Sequence, residues 1–225
     1  MKRLVPKHPL AIRWFHWLNV PLLALMVWSG LLIYWANPVY RIGWGENTLL
    51  RMTVSQEAYR AVGLNHRLAR GMGWHFLLMW PFVINGLLYV GYTIVSGEWR
   101  YLLPTRRSLG EAWQVLLHDL HLSKQAPPPR KFNGAQQIAY TSILLMGFGS
   151  LLTGLAIYKP VQVGWLTAAL GGYAQARFFH FWLTVGYVLF FAVHLAQVVR
   201  AGWNNFRAMV IGVEVVDDPA SEAKP

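Results

Sequence analysis

Four long stretches of this chain are almost entirely apolar, and the polar residues are concentrated between them. The stretches cover residues 10–36, 72–95, 135–158 and 178–199. A membrane-spanning helix needs ~20 mostly apolar residues, and each stretch meets that length. Because backbone groups inside a bilayer must hydrogen bond internally, each stretch is expected to be a helix. The pattern predicts an all-α integral membrane four-helix bundle that forms a single membrane domain over residues 1–225.

The connections between the stretches predict further local structure. An outer loop, residues 37–71, contains Ser55–Arg70, which is typical of a short surface helix. An inner loop, residues 96–134, contains Leu109–Leu122 with apolar residues at helical spacing, followed by Pro127–Pro129, which favour an extended backbone. Residues 203–225 are expected to form a cytoplasmic tail. The apolar run after Met1–His8 is too long for a cleavable signal, so the first helix is expected to remain as an anchor.

The composition supports a membrane protein and restricts its chemistry. Of the 225 residues, 55% are hydrophobic and 13% are charged, whereas soluble domains carry about 25% charged residues. The sequence contains no cysteine, which excludes disulfides and an iron–sulfur cluster held by this chain alone. The net charge of +11 is interpreted as a sign of membrane topology and not of nucleic-acid binding.

The positions of lysine and arginine predict the orientation of the chain. Thirteen of the 20 lie at the N-terminus, in the inner loop or at the C-terminus, and seven lie in the two outer connections. Cytoplasmic segments carry the excess of these residues. Both termini are therefore expected on the cytoplasmic side of a bacterial inner membrane.

Four histidines lie inside the predicted spans, where ionisable side chains are costly and are candidates for function. His16 and His194 lie near the inner ends of the first and fourth helices, and His75 and His180 near the outer ends of the second and fourth. The 14 residues from His180 to His194 correspond to nearly four helical turns and ~21 Å. Each pair is a candidate to hold one haem iron from both sides. Packing or interhelical hydrogen bonding is the alternative, and zinc is disfavoured because its ligands converge on one point.

The other histidines give weaker signals. His66, in the outer loop, is a second candidate for an outer ligand. His118 and His121 lie three residues apart on the predicted inner-loop helix. They are candidates for metal binding or proton relay, with a solvated helix face as the alternative. His8 is interpreted as a surface residue.

Short strings suggest an internal repeat. Residues 29–34 (SGLLIY) are similar to residues 153–158 (TGLAIY), and residues 74–76 (WHF) to residues 179–181 (FHF). Gly97 and Gly202 each follow a small residue and come 22 residues after His75 and His180. The strings indicate two related helix pairs in parallel orientation, with chance similarity between apolar segments as the alternative.

These residues resemble the membrane cytochrome b subunits of formate dehydrogenases and nickel–iron hydrogenases. Their superfamily includes bacterial cytochrome b561 and the cytochrome b of thiosulfate reductase. The resemblance covers most of residues 10–205 and rests on residues 13–17 (RWFHW), 74–76 (WHF) and 131–137 (KFNGAQQ), together with the spacing of His180 and His194.

The resemblance implies a set of ligands. Two b-type haems would be bound, the inner iron by His16 and His194 and the outer iron by His75 and His180. A quinone would bind on the cytoplasmic side, in contact with Asn133 and the Ala135 backbone. The alternative for Asn133 is a helix N-cap, a position that asparagine favours.

The implied function is that of a dihaem b-type cytochrome. It would transfer electrons across the membrane between a quinone pool and an outer-face redox enzyme, and would anchor that enzyme. A molybdopterin oxidoreductase, a hydrogenase and a soluble cytochrome all fit as the partner, which would carry out the substrate chemistry. A stand-alone cytochrome b561-type quinone oxidoreductase and a haem-free transporter or anchor are the alternatives.

Overall fold

The computed structural model of the chain describes residues 2–37, 39–44, 47–53, 55–119, 121–124 and 132–217. Pro127–Pro129 and Lys131 lie outside the described residues. The elements follow one another in the order β1 (Lys2–Pro6), α1 (Leu10–Tyr34), β2 (Val39–Trp44), β3 (Asn47–Thr53), α2 (Gln56–Ala61), α3 (Leu68–Val95), α4 (Trp99–Leu102), α5 (Ser108–Asp119), α6 (Gly134–Tyr158), α7 (Gly164–Ala169), α8 (Tyr173–Ile211) and β4 (Val213–Asp217).

Among the described residues, four helices are long and apolar enough to cross a membrane: α1, α3, α6 and α8. Each contains one of the four apolar stretches, apart from the last residues of the first. The longest, α8, has 39 residues and changes direction at Gly202, where φ is 78° and ψ is 177°. Within the predicted cytoplasmic tail, residues 203–211 are helical and residues 213–217 form a strand.

The outer loop differs from the sequence prediction in two ways. Ser55–Arg70 does not form one helix, because α2 ends at Ala61 and α3 begins at Leu68. His66 lies between these helices with φ at 57°, a left-handed conformation that does not continue a right-handed helix. Residues 39–44 and 47–53 form two strands that were not predicted, and β2 pairs antiparallel with β3.

The described residues divide into two compact units. Unit 1 comprises residues within Met1–Pro38, Ser55–Tyr89 and Val188–Pro225, and unit 2 comprises residues within Val39–Val54 and Val90–Tyr187. Unit 1 therefore contains α1, α2, most of α3 and the C-terminal part of α8. Unit 2 contains the β2–β3 hairpin, α4 to α7 and the N-terminal part of α8.

Unit 1 joins the two ends of the chain. β1 pairs antiparallel with β4, with Lys2 opposite Asp217 and Pro6 opposite Val213. Lys7 Nζ lies 2.9 Å from Glu214 Oε1. We call β1, β4 and the side chains that join them the terminal clasp. Deeper in this unit, the buried Asn85 of α3 donates a hydrogen bond to the carbonyl of Phe15 on α1 at 3.2 Å.

Unit 2 packs its long helices around small residues. Ala156 of α6 and Ala176 of α8 are fully buried in one apolar cluster with Leu166 of α7. The hairpin lies against the start of α8, where the buried Tyr40 stacks on Phe181 with ring centres 4.7 Å apart. At the other end of α6, Ser108 Oγ donates to Gln137 Oε1 at 2.6 Å, which ties α5 to the first turn of α6.

Candidate functional site

Two of the predicted ligands face each other within unit 1. The rings of His16 on α1 and His194 on α8 have centres 6.1 Å apart, with their planes inclined at 58°. Imidazole nitrogens bind metals at ~2 Å, so a metal held between two imidazoles places the ring centres ~6 Å apart. The observed separation would allow both rings to bind one metal ion.

Two hydrogen bonds between α1 and the end of α8 lie close to His16. One residue beyond His16, Trp17 Nε1 donates to the Met209 carbonyl at 3.0 Å. Arg13 Nη1, almost one turn before His16, donates to the Val210 carbonyl at 2.7 Å. Both bonds reach the segment of α8 beyond the Gly202 bend. The approach of α1 to α8 is thus fixed within one turn of His16.

The third predicted ligand, His75, contacts a hydroxyl on α1. Its Nδ1 lies 3.0 Å from Ser29 Oγ, and Ser29 is fully buried. An ideal Cβ on Gly30, the next residue, would lie 3.6 Å from His75 Cε1. One turn before His75, a Cβ on Gly71 would lie 2.7 Å from Leu32 Cβ. The absence of a side chain at Gly71 therefore lets α3 approach α1 and brings the imidazole to Ser29.

The fourth predicted ligand, His180, has an equivalent environment within unit 2. Its Nδ1 lies 2.9 Å from Thr153 Oγ1 on α6, and Thr153 is buried. An ideal Cβ on Gly154 would lie 3.4 Å from His180 Cε1. Each unit therefore contains a hydroxyl-glycine pair on one helix against a histidine on another, as the two similar strings suggested.

The residues that pack next to the two histidines occupy equivalent positions in the two units, but the side chains at these positions differ in size. In the string alignment Leu32 corresponds to Ala156, and the position four residues before the histidine is Gly71 in unit 1 and Ala176 in unit 2. Leu32 lies against Gly71, and Ala156 lies in one buried cluster with Ala176. Leucine opposite glycine in unit 1 fills about the same space as alanine opposite alanine in unit 2. The two strings can therefore differ at this position while both histidine contacts are kept.

Ser29 and Thr153 are the site residues that the sequence prediction missed. Sequence alone did not identify a partner for the second ring nitrogen of any histidine. The signal that could have found them is the repeat itself, since Ser29 and Thr153 open the two similar strings.

His75 and His180 belong to different units, so their pairing on one iron stays a prediction. Among the described residues, no group of three or more His, Cys, Asp or Glu side chains could hold a metal ion.

The loop histidines lie in other surroundings. The His66 ring contacts Trp35, with ring centres 5.0 Å apart. His118 Nδ1 lies 3.7 Å from Asp119 Oδ1, and His121 Nδ1 lies 3.2 Å from the Asp119 carbonyl oxygen. These contacts give His118 and His121 a common neighbour but no metal site within the described residues.

The predicted quinone contacts lie at the start of α6. Asn133 is the N-cap, and its Oδ1 accepts a hydrogen bond from the Gln136 backbone amide at 2.9 Å. In return, Gln136 Oε1 accepts from the Asn133 amide at 3.0 Å, which completes a capping box. Ala135 lies within the first turn. The N-cap interpretation of Asn133 is confirmed, and its contact with a quinone stays a prediction.

Four apolar helices of membrane-spanning length, two of which carry histidines whose rings face each other, are typical of membrane b-type cytochromes. The chain belongs to the prokaryotic cytochrome b561 family, whose model matches residues 7–212. The predicted resemblance and the predicted all-α four-helix membrane bundle are thereby confirmed. It is a multi-pass membrane protein that binds b-type haem and transfers electrons.

One relative is similar to this chain over most of its length. The chain is 31% identical over 198 residues to the putative protein-methionine-sulfoxide reductase subunit YedZ1 of Azospira oryzae. The match covers 88% of this chain and 92% of the relative. The family model and the relative each match most of this chain.

Proposed function

We propose that this chain is a dihaem b-type cytochrome that passes electrons across the membrane between a quinone pool and a redox enzyme on the outer face. His16 and His194 would hold the inner haem iron, and His75 and His180 the outer one. The observation that carries the proposal is the 6.1 Å separation of the His16 and His194 rings. When bound between two imidazoles, b-type haem supplies a one-electron carrier whose iron has no open position.

The role as a subunit is supported by the relative. The Azospira oryzae protein is described as a subunit of a protein-methionine-sulfoxide reductase. By this likeness, the partner would be an enzyme that reduces an oxidised methionine side chain, a chemistry that consumes two electrons per sulfoxide. The chain would deliver electrons and anchor the partner, while the partner would carry out the reduction.

The proposed quinone site lies at the cytoplasmic end of α6, beside Asn133 and Ala135. An asparagine that serves as N-cap uses its Oδ1 in the helix, so only its Nδ2 remains to donate to a quinone oxygen. The backbone of the first helical turn adds further N–H donors, which lack helical partners at this position.

We also propose that both termini lie in the cytoplasm and that the membrane is the bacterial inner membrane. The support is the excess of lysine and arginine in the termini and the inner loop. Fusions of a periplasm-active reporter to the β2–β3 hairpin and to the C-terminus test this orientation. Activity at the C-terminus and none at the hairpin would reverse it.

A pyridine haemochrome assay on detergent-purified protein tests the ligands. The parent is expected to contain two b haems, and His16→Ala and His75→Ala are each expected to lose one. His66→Ala is the matched control and should keep both. If the parent contains no haem, or if His66→Ala loses one and His75→Ala does not, the assignment is wrong.

A second experiment separates the subunit from the stand-alone oxidoreductase. The chain is purified alone, reduced with a quinol, and offered free methionine sulfoxide. A subunit is expected to become reduced but to leave methionine sulfoxide unchanged until its partner enzyme is added. Turnover by the isolated chain would favour the stand-alone cytochrome b561-type function.

A further inference from the structure

The hydroxyl proton of Ser29 has a defined acceptor, and this determines whether the oxygen donates to His75 or accepts from it. Ser29 Oγ lies 3.0 Å from the Met26 carbonyl in its own helix, and a carbonyl oxygen can only accept. Ser29 therefore donates its single proton to Met26 and accepts the bond from His75 Nδ1, 3.0 Å away.

Thr153 repeats this arrangement in unit 2. Its Oγ1 lies 2.7 Å from the Gly149 carbonyl, and this short distance assigns its proton to that bond. Back-bonding of a helical threonine to the carbonyl four residues earlier is a common geometry. The oxygen therefore accepts from His180 Nδ1, 2.9 Å away.

We propose that Ser29 and Thr153 are positioning residues that hold His75 and His180 as the Nδ1–H tautomer, so that Nε2 carries the lone pair that binds iron. This inference rests on the proposed function, because it assumes that these two histidines are the outer ligands. Metal-binding histidines commonly donate their second N–H to an oxygen, which fixes the ring orientation and raises the basicity of the ligating nitrogen. Here a neutral hydroxyl, oriented by its own helix, provides that oxygen.

The recurrence of the contact argues against accidental packing. The two hydroxyls lie on different helices, in different units, and each is followed by a glycine facing the same ring. The residues that bring the helices together differ in size, yet both histidines meet a hydroxyl at 2.9–3.0 Å. The contact has thus been kept while its surroundings changed.

His16 lacks this feature among the described residues, which provides an internal comparison. The buried His16 Nδ1 has no hydrogen-bond partner among the described residues. Substitutions at Ser29 and Thr153 should therefore affect the haem of His75 and His180 and leave the haem of His16 and His194 unchanged.

The test compares Ser29→Ala and Thr153→Val with the conservative variants Ser29→Thr and Thr153→Ser. Thr93→Val is the matched control, because Thr93 is a buried helical hydroxyl that donates to the Val90 carbonyl of its own helix at 2.8 Å. The measurements are haem content, a redox titration of each haem and the low-spin ferric signals in electron paramagnetic resonance.

In Ser29→Ala and Thr153→Val, the outer haem is expected to bind roughly 10-fold more weakly or worse. Where it stays bound, its midpoint potential should rise, because a less basic ligand stabilises ferric iron less. The conservative variants should restore both properties, and the inner haem and Thr93→Val should match the parent.

The inference would be overturned if Ser29→Ala and Thr153→Val both left the midpoint potential, the binding affinity and the resonance signals of the outer haem unchanged. An equal shift in Thr93→Val would also overturn it, since any lost hydroxyl would then have the same effect. If the parent itself binds no haem, the proposed function and this inference fail together. If the parent binds two haems and the variants match it, only this inference fails.

Discussion

Asn133 combines a structural contact with a proposed binding contact, and two substitutions can separate them. Its side-chain oxygen caps α6, whereas the proposed quinone contact uses its amide nitrogen. Aspartate keeps an oxygen at the capping position but has no N–H to donate. Alanine has neither.

Asn133→Ala is expected to lower the free energy of unfolding by about 1 kcal/mol because the cap is lost. Asn133→Asp should unfold like the parent but be reduced more slowly by quinol, since the donor to the quinone oxygen is gone. Thermal unfolding in detergent and stopped-flow haem reduction measure the two effects. Parent-like reduction of the aspartate variant would leave Asn133 with a capping role alone.

The four histidines could be assigned to the spans from the sequence because the position of a residue along a membrane helix determines its depth in the membrane. It could not identify Ser29 or Thr153 as their neighbours, because contacts between helices depend on the rotation of each helix about its axis, which hydropathy does not specify. The sequence could predict that His16 and His194 lie at the same depth in the membrane, but not that their rings face each other. Their contact depends on the hydrogen bonds from Arg13 and Trp17 to the end of α8.

At the scale of the elements, the contact of α1 with α3 depends on one glycine. An ideal Cβ on Gly71 would lie 2.7 Å from Leu32 Cβ and 3.0 Å from the Ser29 carbonyl oxygen. At Gly73, in the same helix, such a Cβ would meet no described atom within 4 Å apart from its chain neighbours and the nearby backbone of its own helix. These two glycines form a natural comparison between a packed and an open position.

Gly71→Ala is expected to cost about 1–3 kcal/mol of stability, as overpacking generally does. It should also reduce haem content, because α3 must move away from α1 and carries His75 with it. Gly73→Ala should keep both stability and haem. Thermal unfolding and a haemochrome assay on both variants check this, and equal behaviour of the two would mean that the approach of α3 to α1 does not control the position of His75.

The repeat extends to a glycine just beyond the end of α3 and a glycine at the bend of α8. Gly97 and Gly202, each 22 residues after its histidine, have φ of 75° and 78°, a backbone conformation that glycine adopts without strain. The hairpin of β2 and β3 was less predictable, because Arg41 lies directly opposite Arg51, and like charges in that position are unfavourable. Its packing through Tyr40 onto Phe181 offsets this, and that contact is not local in sequence.

At the scale of the whole molecule, hydropathy was sufficient to predict the four spanning helices, but not the terminal clasp. Strand pairing between residues 2–6 and 213–217 brings together segments from opposite ends of the chain. Asn204 supports it, since its Oδ1 accepts from the Val215 amide at 3.0 Å and its Nδ2 donates to the Val215 carbonyl at 2.8 Å. The side chain thus bonds to both backbone groups of one β4 residue.

Asn204→Ala is expected to open the clasp, because two bonds worth about 1 kcal/mol each are lost. The partly exposed ion pair of Lys7 and Glu214 should matter less, so Glu214→Gln is the control and should cost under about 1 kcal/mol. Hydrogen exchange at the amides of residues 3–5 measures clasp opening. Faster exchange in the Glu214 variant than in the Asn204 variant would reverse this ranking.

The terminal clasp also restricts the order of assembly during synthesis. Residues 2–6 have no strand partner until residues 213–217 have been translated and α8 has been inserted. The same delay applies to Arg13 and Trp17, whose acceptors are the carbonyls of Val210 and Met209. His16 therefore enters the membrane early, and its approach to His194 is fixed last, so the membrane insertion machinery would release α1 before the His16–His194 pair that we propose as haem ligands can form.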